Sequence, residues 1–418
     1  MAADLLKTSM GGKAVKILWF RKELSAAGLS LFLANAAYWM IAGTYTPFLS
    51  SYFTSVGLTA MQTGVLLMVQ PLAVLFVQPV WAYLSDRTAK RKLVLGSLII
   101  GAAISILLYY AGTQFEAVLF ATVMFSVFFS ALLPLSDALV IDGCLAKGIE
   151  FARVRLGGTL GYAFIVFIVG VYLEKVPRAQ FVVVALLCVL FLVVVTVLPN
   201  GQHAVSEVST CNRLRLADAA VGLDAKRPVL GAFESHKIYF VLAFAFVSQM
   251  GLGFSGSFIG RHVLDLGYGQ GLVGILSAIS ALSEIPVLLL ADSIMCRWGE
   301  MRLLIASCFF MVLRLVFIGF GLVPTMVAGQ LLQSVTYMTV YYSCARYVAE
   351  HVLPGRQSQG QSVLVAVQSG LAMLIANLAG GFAGDTFGMQ MSFFLSAVLV
   401  LTATLVVLAV YRHTRCYR

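Results

Sequence analysis

Twelve long apolar stretches run through this 418-residue sequence, most of them separated by short polar connections. Each is about 20 residues or more, the length a helix needs to cross the hydrocarbon core of a bilayer. Because unpaired backbone groups are too costly in lipid, every stretch is expected to be helical. The predicted spans are 24–52, 60–85, 93–112, 116–141, 155–174, 179–198, 237–261, 270–293, 302–321, 324–349, 358–384 and 388–411. The sequence therefore predicts an all-α membrane protein with twelve transmembrane helices.

The distribution of charge predicts how these helices are oriented. Only 11% of the residues are charged, whereas a soluble globular domain has about 25%. Lys and Arg exceed Asp and Glu by ten, but 24 of the 28 basic residues lie in the segments that are inner when both termini are cytoplasmic, and 3 lie in outer loops. This positive-inside bias predicts cytoplasmic termini in a plasma (inner) membrane. The basic excess thus reports topology, and no nucleic-acid partner is expected.

A polar stretch at 199–236 divides the chain into two sets of six spans. Similar short basic turns follow the second and eighth spans, at 84–87 and 294–299, an offset of 210 residues. Duplicated six-helix halves are a transporter architecture with a substrate site near the midplane. We therefore predict pseudo-symmetric bundles at 1–198 and 237–418, joined by a cytoplasmic linker loop at 199–236 and working as a monomer.

The motifs of several other classes of protein are missing from the sequence. It has no G-x-x-x-x-G-K-[ST] loop and no H-E-x-x-H, and its seven cysteines form no C-x-x-C. The cysteines are expected to be small core residues. We therefore predict no enzymatic activity, no cofactor and no metal site. Uphill transport would then draw on an ion gradient, sensed by ionisable groups within the spans.

Two charges lie deep within spans of the second half, Glu284 and Arg314. Charges near the bilayer centre are costly, so they mark functional positions by default. A guanidinium keeps its charge and needs a partner or a wet cavity. We expect the two side chains to approach each other across a cavity, with Glu284 carrying a proton. The alternative is a static ion pair that braces two helices.

In the first half, Asp137 lies on the fourth predicted span and Arg155 opens the fifth. Neighbouring antiparallel helices would bring the two together. Arg155 is followed by Gly157, Gly158 and Gly161, and small residues allow helices to approach closely. Tyr162, two turns beyond Arg155, either serves as a platform for a sugar or aromatic ring or packs as an ordinary core residue.

Other polar side chains interrupt the apolar spans. Most such groups join helices to one another, so only a subset faces a ligand. We take Trp39 and Tyr45 on the first span and Gln249 on the seventh as further substrate-binding candidates.

The loop after the second span resembles a signature of the major facilitator superfamily. Residues 82–92 read AYLSDRTAKRK and match G-x-L-x-D-R/K-x-G-R-R/K with alanine at both glycines. In that family the loop helps to hold the two halves together in one state. The resemblance implies that Asp86 takes part in gating, and we group Arg87 and Arg297, from the two similar turns, with it.

Within the superfamily the sequence resembles the lactose permease, or oligosaccharide:proton symporter, branch. Pro134-x-x-Asp137 followed by FARVR at 151–155 is similar to the Pro-x-x-Glu…Phe-Gly-Arg-Ala-Arg of that branch. The resemblance implies that Arg155 binds sugar, that Asp137 is its acidic partner, and that Tyr162 stands where the family stacks a tryptophan on the sugar. Arg314 falls at the ninth-span arginine of the family.

The sequence also departs from this branch. Ser334, Tyr337 and Ser369 replace its tenth-span His and Glu and its eleventh-span Lys, so proton coupling would run through Glu284 or Asp137. The PLSDA and EIP runs are closer to phenylpropionate-permease-like relatives. We predict a proton-coupled symporter of a sugar or oligosaccharide that works by alternating access. The alternatives are a permease for an aromatic carboxylate or a nucleoside, and a membrane sensor that kept the carrier fold without transporting.

Overall fold

Twelve helices cross the molecule from one face to the other in the computed structural model, which describes residues 26–88, 90–198, 237–351 and 357–416. The predicted linker 199–236 lies outside the described residues. The helices are α1 Ala26–Ser55, α2 Ala60–Thr88, α3 Arg91–Tyr110, α4 Phe115–Lys147, α5 Phe151–Leu173, α6 Ala179–Val197, α7 Lys237–Asp265, α8 Gln270–Trp298, α9 Glu300–Gly319, α10 323–351, α11 357–387 and α12 Met389–Cys416. The predicted all-α fold is confirmed.

Several of these helices are interrupted where the sequence disturbs the backbone ladder. The α-helical winding of α2 breaks at Val77, two residues before Pro79, and that of α4 breaks shortly before Pro134. A proline ring removes one hydrogen bond and crowds the preceding turn. The winding of α10 and α11 widens into π-helical turns at Ser334–Met338 and Ala366–Ala372. Such turns occur mostly inside longer helices and often at functional sites.

The outer surface of the bundle is apolar. Within the described residues, eleven helices are long and apolar enough to cross a membrane. The exception is α10, which carries Gln330, Gln333 and Thr336 in the middle of its length. Exposed large side chains such as Phe164 and Val193 cover the exterior, as expected of a surface that contacts lipid.

Helix packing repeats between the two halves of the chain. In the first half α6 packs against α1 and α3, and in the second half α12 packs against α7 and α9. Across the boundary α5 packs on α8, and α2 packs on α11 in the symmetry-related position. The chain therefore forms two similar six-helix bundles that meet along these helices and along the α1–α7 contact.

Glycines at equivalent places let the two bundles approach each other closely. A Cβ atom added at Gly170 of α5 would lie 3.0 Å from the Cα of Gly274 in α8. A Cβ atom added at Gly64 of α2 would lie 3.0 Å from the Cα of Gly381 in α11. Small residues at helix crossings replace side-chain packing by backbone contact. Both crossings between the bundles therefore depend on the absence of a side chain.

We call the two ends of the bundle the distal face and the terminal face. The terminal face carries the start of α1 and the end of α12. The distal face carries the opposite turns, at 56–59, 111–114, 174–178, 266–269, 320–322 and 388.

Polar contacts join the two halves at the distal face. The carboxylate of Asp385 in α11 accepts hydrogen bonds from the backbone N–H groups of Ala60 (2.6 Å) and Met61 (2.9 Å), at the start of α2. Arg261 in α7 donates to the backbone oxygen of Leu58, at 2.9 Å. We call these contacts the distal latch. They join the bundles on the side where the described structure is closed by helix-to-helix contact.

Candidate functional site

A cavity of about 240 Å³ lies between the two bundles. Each bundle contributes six lining residues, from two helices. They are Trp39, Ala42 and Thr46 of α1, Arg155, Thr159 and Tyr162 of α5, Ser280, Ala281 and Glu284 of α8, and Gln333, Tyr337 and Met338 of α10. In α1 and α5 they recur at intervals of three or four residues, and in α8 Ser280 and Ala281 lie four and three residues before Glu284, so each set forms one face of its helix. A solute in this cavity would touch both halves of the protein at once.

Arg155 is the basic group that the first bundle presents to the cavity. Its Nη1 lies 3.8 Å from Oδ2 of Asp137, and both side chains are mostly buried. Its Cζ lies 4.9 Å from the centre of the Trp39 ring, a distance at which a cation is attracted to an aromatic face. Asn35 donates to Oδ1 of Asp137 at 3.4 Å. The predicted meeting of Asp137 and Arg155 is confirmed, and it holds the guanidinium at the cavity wall.

Two aromatic rings line the cavity beside Arg155. Trp39 and Tyr162 lie edge to face, with their centroids 6.3 Å apart. The buried Nε1 of Trp39 has no acceptor among the described residues. A buried N–H group without a partner costs free energy that a ligand oxygen would recover. The two rings thus offer apolar surface for a ring-shaped solute, and the buried N–H of Trp39 is left without a partner among the described residues.

The second bundle presents an acid to the cavity, and a polar relay leads from it into the protein. Oε1 of Glu284 accepts a hydrogen bond from Nε2 of Gln333 at 3.1 Å. Nη1 of Arg314 in turn donates to Oε1 of Gln333 and, at 3.2 Å, to the Thr336 hydroxyl. Nη2 donates to Gln330 at 3.1 Å. Arg314 is therefore held within α9 and α10.

The predicted approach of Glu284 and Arg314 is confirmed in part, because the two charges are close enough to interact. They do not meet directly across the cavity, since Gln333 lies between them and hydrogen-bonds to both. Arg314 is 3% exposed and is not among the residues that line the cavity. The sequence placed both charges deep in neighbouring spans but contained no sign that an amide would bridge them.

Two predicted substrate-binding residues lie away from the cavity. Tyr45 is buried, its hydroxyl lies 3.1 Å from that of Tyr109, and its ring packs 4.5 Å from that of Phe125. Gln249 is 7% exposed in α7 and does not line the cavity. Both expectations are corrected, because polar groups on a buried helix satisfy neighbouring helices as readily as a ligand.

The residues predicted to take part in gating lie at the terminal face. Asp86 is exposed and lies 3.5 Å from Arg91, which also pairs with Asp142 at 2.9 Å. All three belong to the first bundle, so these contacts do not join the two halves. Arg87 and Arg297 are exposed. A gating role for Asp86, Arg87 and Arg297 stays a prediction.

The cavity also contains residues of α10 and several small polar groups that were not predicted as site residues. Gln333 and Tyr337 line the cavity four residues apart, on either side of the start of the π-helical turn. Thr46, Thr159 and Ser280 add hydroxyl groups. The one available signal was that these residues are polar within apolar runs, and many residues elsewhere share it. Among the described residues no cluster of three His, Cys, Asp or Glu side chains fits a metal ion.

Four cysteines lie in the core as expected. Cys144, Cys188, Cys308 and Cys344 are buried free thiols.

Gly161, one of the glycines beside Arg155, brings α5 onto α1: a Cβ atom there would lie 3.0 Å from the backbone oxygen of Ala36. The predicted close helix approach at this position is confirmed.

Comparison with known proteins identifies the family. The chain is 24% identical over 385 residues to the maltose permease of Geobacillus stearothermophilus, covering 89% of this chain and 92% of that one. It is 26% identical over 357 residues to the probable 3-phenylpropionic acid transporter of Escherichia coli (strain K12), covering 82% and 86%. The crystal structure of the nucleoside transporter NupG superposes with a TM-score of 0.77 at 16% identity, covering 92% of this chain and 99% of that chain. The model of the MFS_1 like family matches residues 30–395. This chain is a membrane transporter that belongs to the MFS_1 like family.

Proposed function

We propose that this transporter moves a small polar solute through the central cavity by alternating access, and that the solute is a sugar carried together with a proton. The observation that supports the proposal best is the composition of the cavity: Arg155 comes from one bundle and Glu284 from the other. A solute bound to both residues would make different contacts when the two bundles move relative to each other. That difference is what a carrier needs to couple binding to a change of state.

The shape and chemistry of the cavity favour a ring with several hydroxyl groups. Trp39 and Tyr162 provide apolar surface for the C–H faces of the ring, while Gln333, Thr159 and Ser280 provide hydrogen-bonding groups. At about 240 Å³ the cavity is smaller than the roughly 300–1,000 Å³ of pockets for drug-sized ligands. It fits one ring, so an oligosaccharide would place its terminal ring here. The similarity to a maltose permease supports a sugar.

Glu284 is the proposed proton carrier. It is the carboxylate that lines the cavity, and Gln333 presents an amide N–H to it. Protonation would neutralise the acid and weaken this charge-assisted hydrogen bond, while the ion pair of Arg155 with Asp137 in the other bundle would stay in place. The proton would therefore change the contacts of one bundle and leave those of the other unchanged.

A second candidate substrate is an aromatic carboxylate. The guanidinium of Arg155, the free N–H of Trp39 and the adjacent rings suit a carboxylate attached to a ring. The similarity to a probable 3-phenylpropionic acid transporter supports it. A nucleoside is the third candidate, supported by the shared fold with NupG.

Uptake into proteoliposomes tests these proposals. Radiolabelled sugars, phenylpropionate and nucleosides are offered with and without an inward proton gradient, and the proposal expects sugar accumulation that requires the gradient. Glu284→Gln should abolish accumulation and leave counterflow of the same sugar intact. Glu116→Gln, at an exposed carboxylate of the distal face, is the matched control. Accumulation by Glu284→Gln at the control rate would contradict the proton role, and binding without counterflow would favour a sensor.

We also propose that the terminal face is cytoplasmic and that the protein is a functional monomer in the plasma membrane. The distribution of Lys and Arg supports this orientation. Labelling of a single cysteine introduced at Lys175, on a distal turn, by an impermeant reagent in intact cells tests it.

A further inference from the structure

A second cavity, of about 850 Å³, lies at the terminal face, on the side of the second bundle. It is bounded by the turn between α8 and α9 and by the end of α12, and it shares no lining residue with the central cavity. Its lining residues are Arg297, Trp298, Gly299, Glu300, Met301, Arg302, Ile305, Phe309, Leu408, Tyr411 and Arg412. We call it the lateral groove.

The rim of the lateral groove is strongly basic. Arg297, Arg302 and Arg412 come from the ends of three different helices, and all three are exposed. The acid of the groove, Glu300, lies 3.2 Å from Nε of Arg346, which also pairs with Glu350 at 2.7 Å. The charge of Glu300 is therefore partly compensated from outside the groove, and the three arginines of the rim outnumber it. The three arginines line the same open cavity, an arrangement that an anion would stabilise.

The wall beneath this rim is apolar. Ile305 and Phe309 lie one and two turns into α9 from Arg302, and Leu408 lies one turn into α12 from Arg412. Phe309 is 40% exposed and Trp298 is 59% exposed, so the wall is open to the bilayer side. Trp298 lies at the level of the arginines, where aromatic residues are enriched at the membrane interface. The groove thus changes from basic to apolar along the direction of the membrane normal.

We propose that the lateral groove binds an anionic glycerophospholipid, with its phosphate between the arginines and an acyl chain along Phe309 and Leu408. Basic pockets between helices on the cytoplasmic side recognise anionic headgroups in this way. A free phosphate would satisfy the rim but leave the apolar wall uncovered. A zwitterionic lipid would bring its own cation close to three guanidinium groups.

Native mass spectrometry of the purified full-length transporter tests the site. The probes are phosphatidylglycerol, phosphatidylcholine and inorganic phosphate. The proposal expects one tightly bound phosphatidylglycerol, little phosphatidylcholine and little phosphate. The double variant Arg302→Gln/Arg412→Gln should bind phosphatidylglycerol about 25-fold more weakly, at about fivefold for each basic residue. Lys90→Gln/Lys147→Gln removes two exposed charges from the same face of the first bundle and should bind normally.

Two further variants separate the parts of the lipid. Phe309→Ala should weaken phosphatidylglycerol binding and leave phosphate binding unchanged, because it alters the apolar wall alone. Arg302→Lys/Arg412→Lys keeps the charges and should retain most of the affinity, which shows that a loss in the glutamine variant is not a folding defect. Equal phosphatidylglycerol affinity in Arg302→Gln/Arg412→Gln and in the control Lys90→Gln/Lys147→Gln would overturn the proposal. So would phosphate binding as tight as that of the lipid.

Discussion

Removing the carboxylate of the distal latch should open the distal face without unfolding the helix that it caps. The start of α2 has its own cap, since the Thr59 side chain accepts from the backbone N–H of Gln62 and Gln62 in turn accepts from that of Thr59. Asp385 serves the two remaining groups, at Ala60 and Met61, from the opposite bundle. Asp385→Ala therefore removes a contact between the halves and leaves the local cap in place.

The size of the effect follows from the two hydrogen bonds. Loss of a capping side chain costs about 0.5–2 kcal/mol, and hydrogen bonds to a charged group lie in the upper part of such ranges. We take the free energy lost by the closed state in Asp385→Ala as about 1–2 kcal/mol, which lowers the ratio of closed to open states by about 5- to 30-fold. An open state populated at about 1% would then rise to about 5–25%. Asp385→Asn should shift it less, because an amide keeps one acceptor oxygen.

Distances between spin labels on the two halves measure this population. Lys175 and Leu322 lie on distal turns of opposite bundles and are exposed, so cysteines introduced there, in a background without the native cysteines, report opening directly. The expected order of the long-distance fraction is Ala above Asn above the parent protein. Glu116→Ala removes an exposed acid from the first turn of α4 and should match the parent. If hydrogen exchange shows that the Ala60 and Met61 amides have lost protection while the distance distribution is unchanged, the latch does not hold the halves together.

Three further substitutions test the cavity and the helix crossings. Trp39→Phe keeps the aromatic face but removes the unpartnered N–H, so substrate affinity by calorimetry should fall about fivefold, as for the loss of about 1 kcal/mol; an unchanged affinity would exclude that hydrogen bond. Arg314→Gln removes the cation that binds the Gln333 oxygen. The free energy of unfolding should fall by at least about 2 kcal/mol, and the thermal unfolding temperature should fall with it; an unchanged temperature would show that the cation is dispensable. Gly274→Val places a side chain against the backbone of Val166. Overpacking of this kind costs about 1–3 kcal/mol of stability, so the α5–α8 crossing should be destabilised and the backbone amides there should exchange hydrogen faster. Gly274→Ala should have a smaller effect.

Most of the fold was predictable because the bilayer limits the choices. An apolar run of about 20 residues has one stable structure in lipid, so the spans were located to within six residues at either end. The α-helix itself determines which residues share a face, and Arg155, Thr159 and Tyr162 illustrate this. Asp137 and Arg155 could be paired from sequence because few charges occur in the first-half spans and the helices that carry them are neighbours.

The rotation of each helix about its axis was much harder to predict. A helix that is apolar on every side gives no direction for its few polar groups. Tyr45 therefore points to Tyr109 within the first bundle instead of to the cavity. The bridge made by Gln333 depends on how α8, α9 and α10 meet, and a single sequence does not contain that information.

The wide turn at Ser334–Met338 has a consequence for the geometry of the tenth helix. A π-helical turn holds about one residue more than an α-helical turn, and one residue corresponds to roughly 100° of rotation. The segment Thr339–His351 is thus out of phase with Val323–Leu331, as if the helix had been cut and twisted at the level of the cavity. If this turn rewound to the regular α-helical pitch, Thr339–His351 would rotate about the helix axis while Val323–Leu331 kept its position. Such a rotation of the tenth helix would be centred on the turn that contains Tyr337, a residue that lines the cavity.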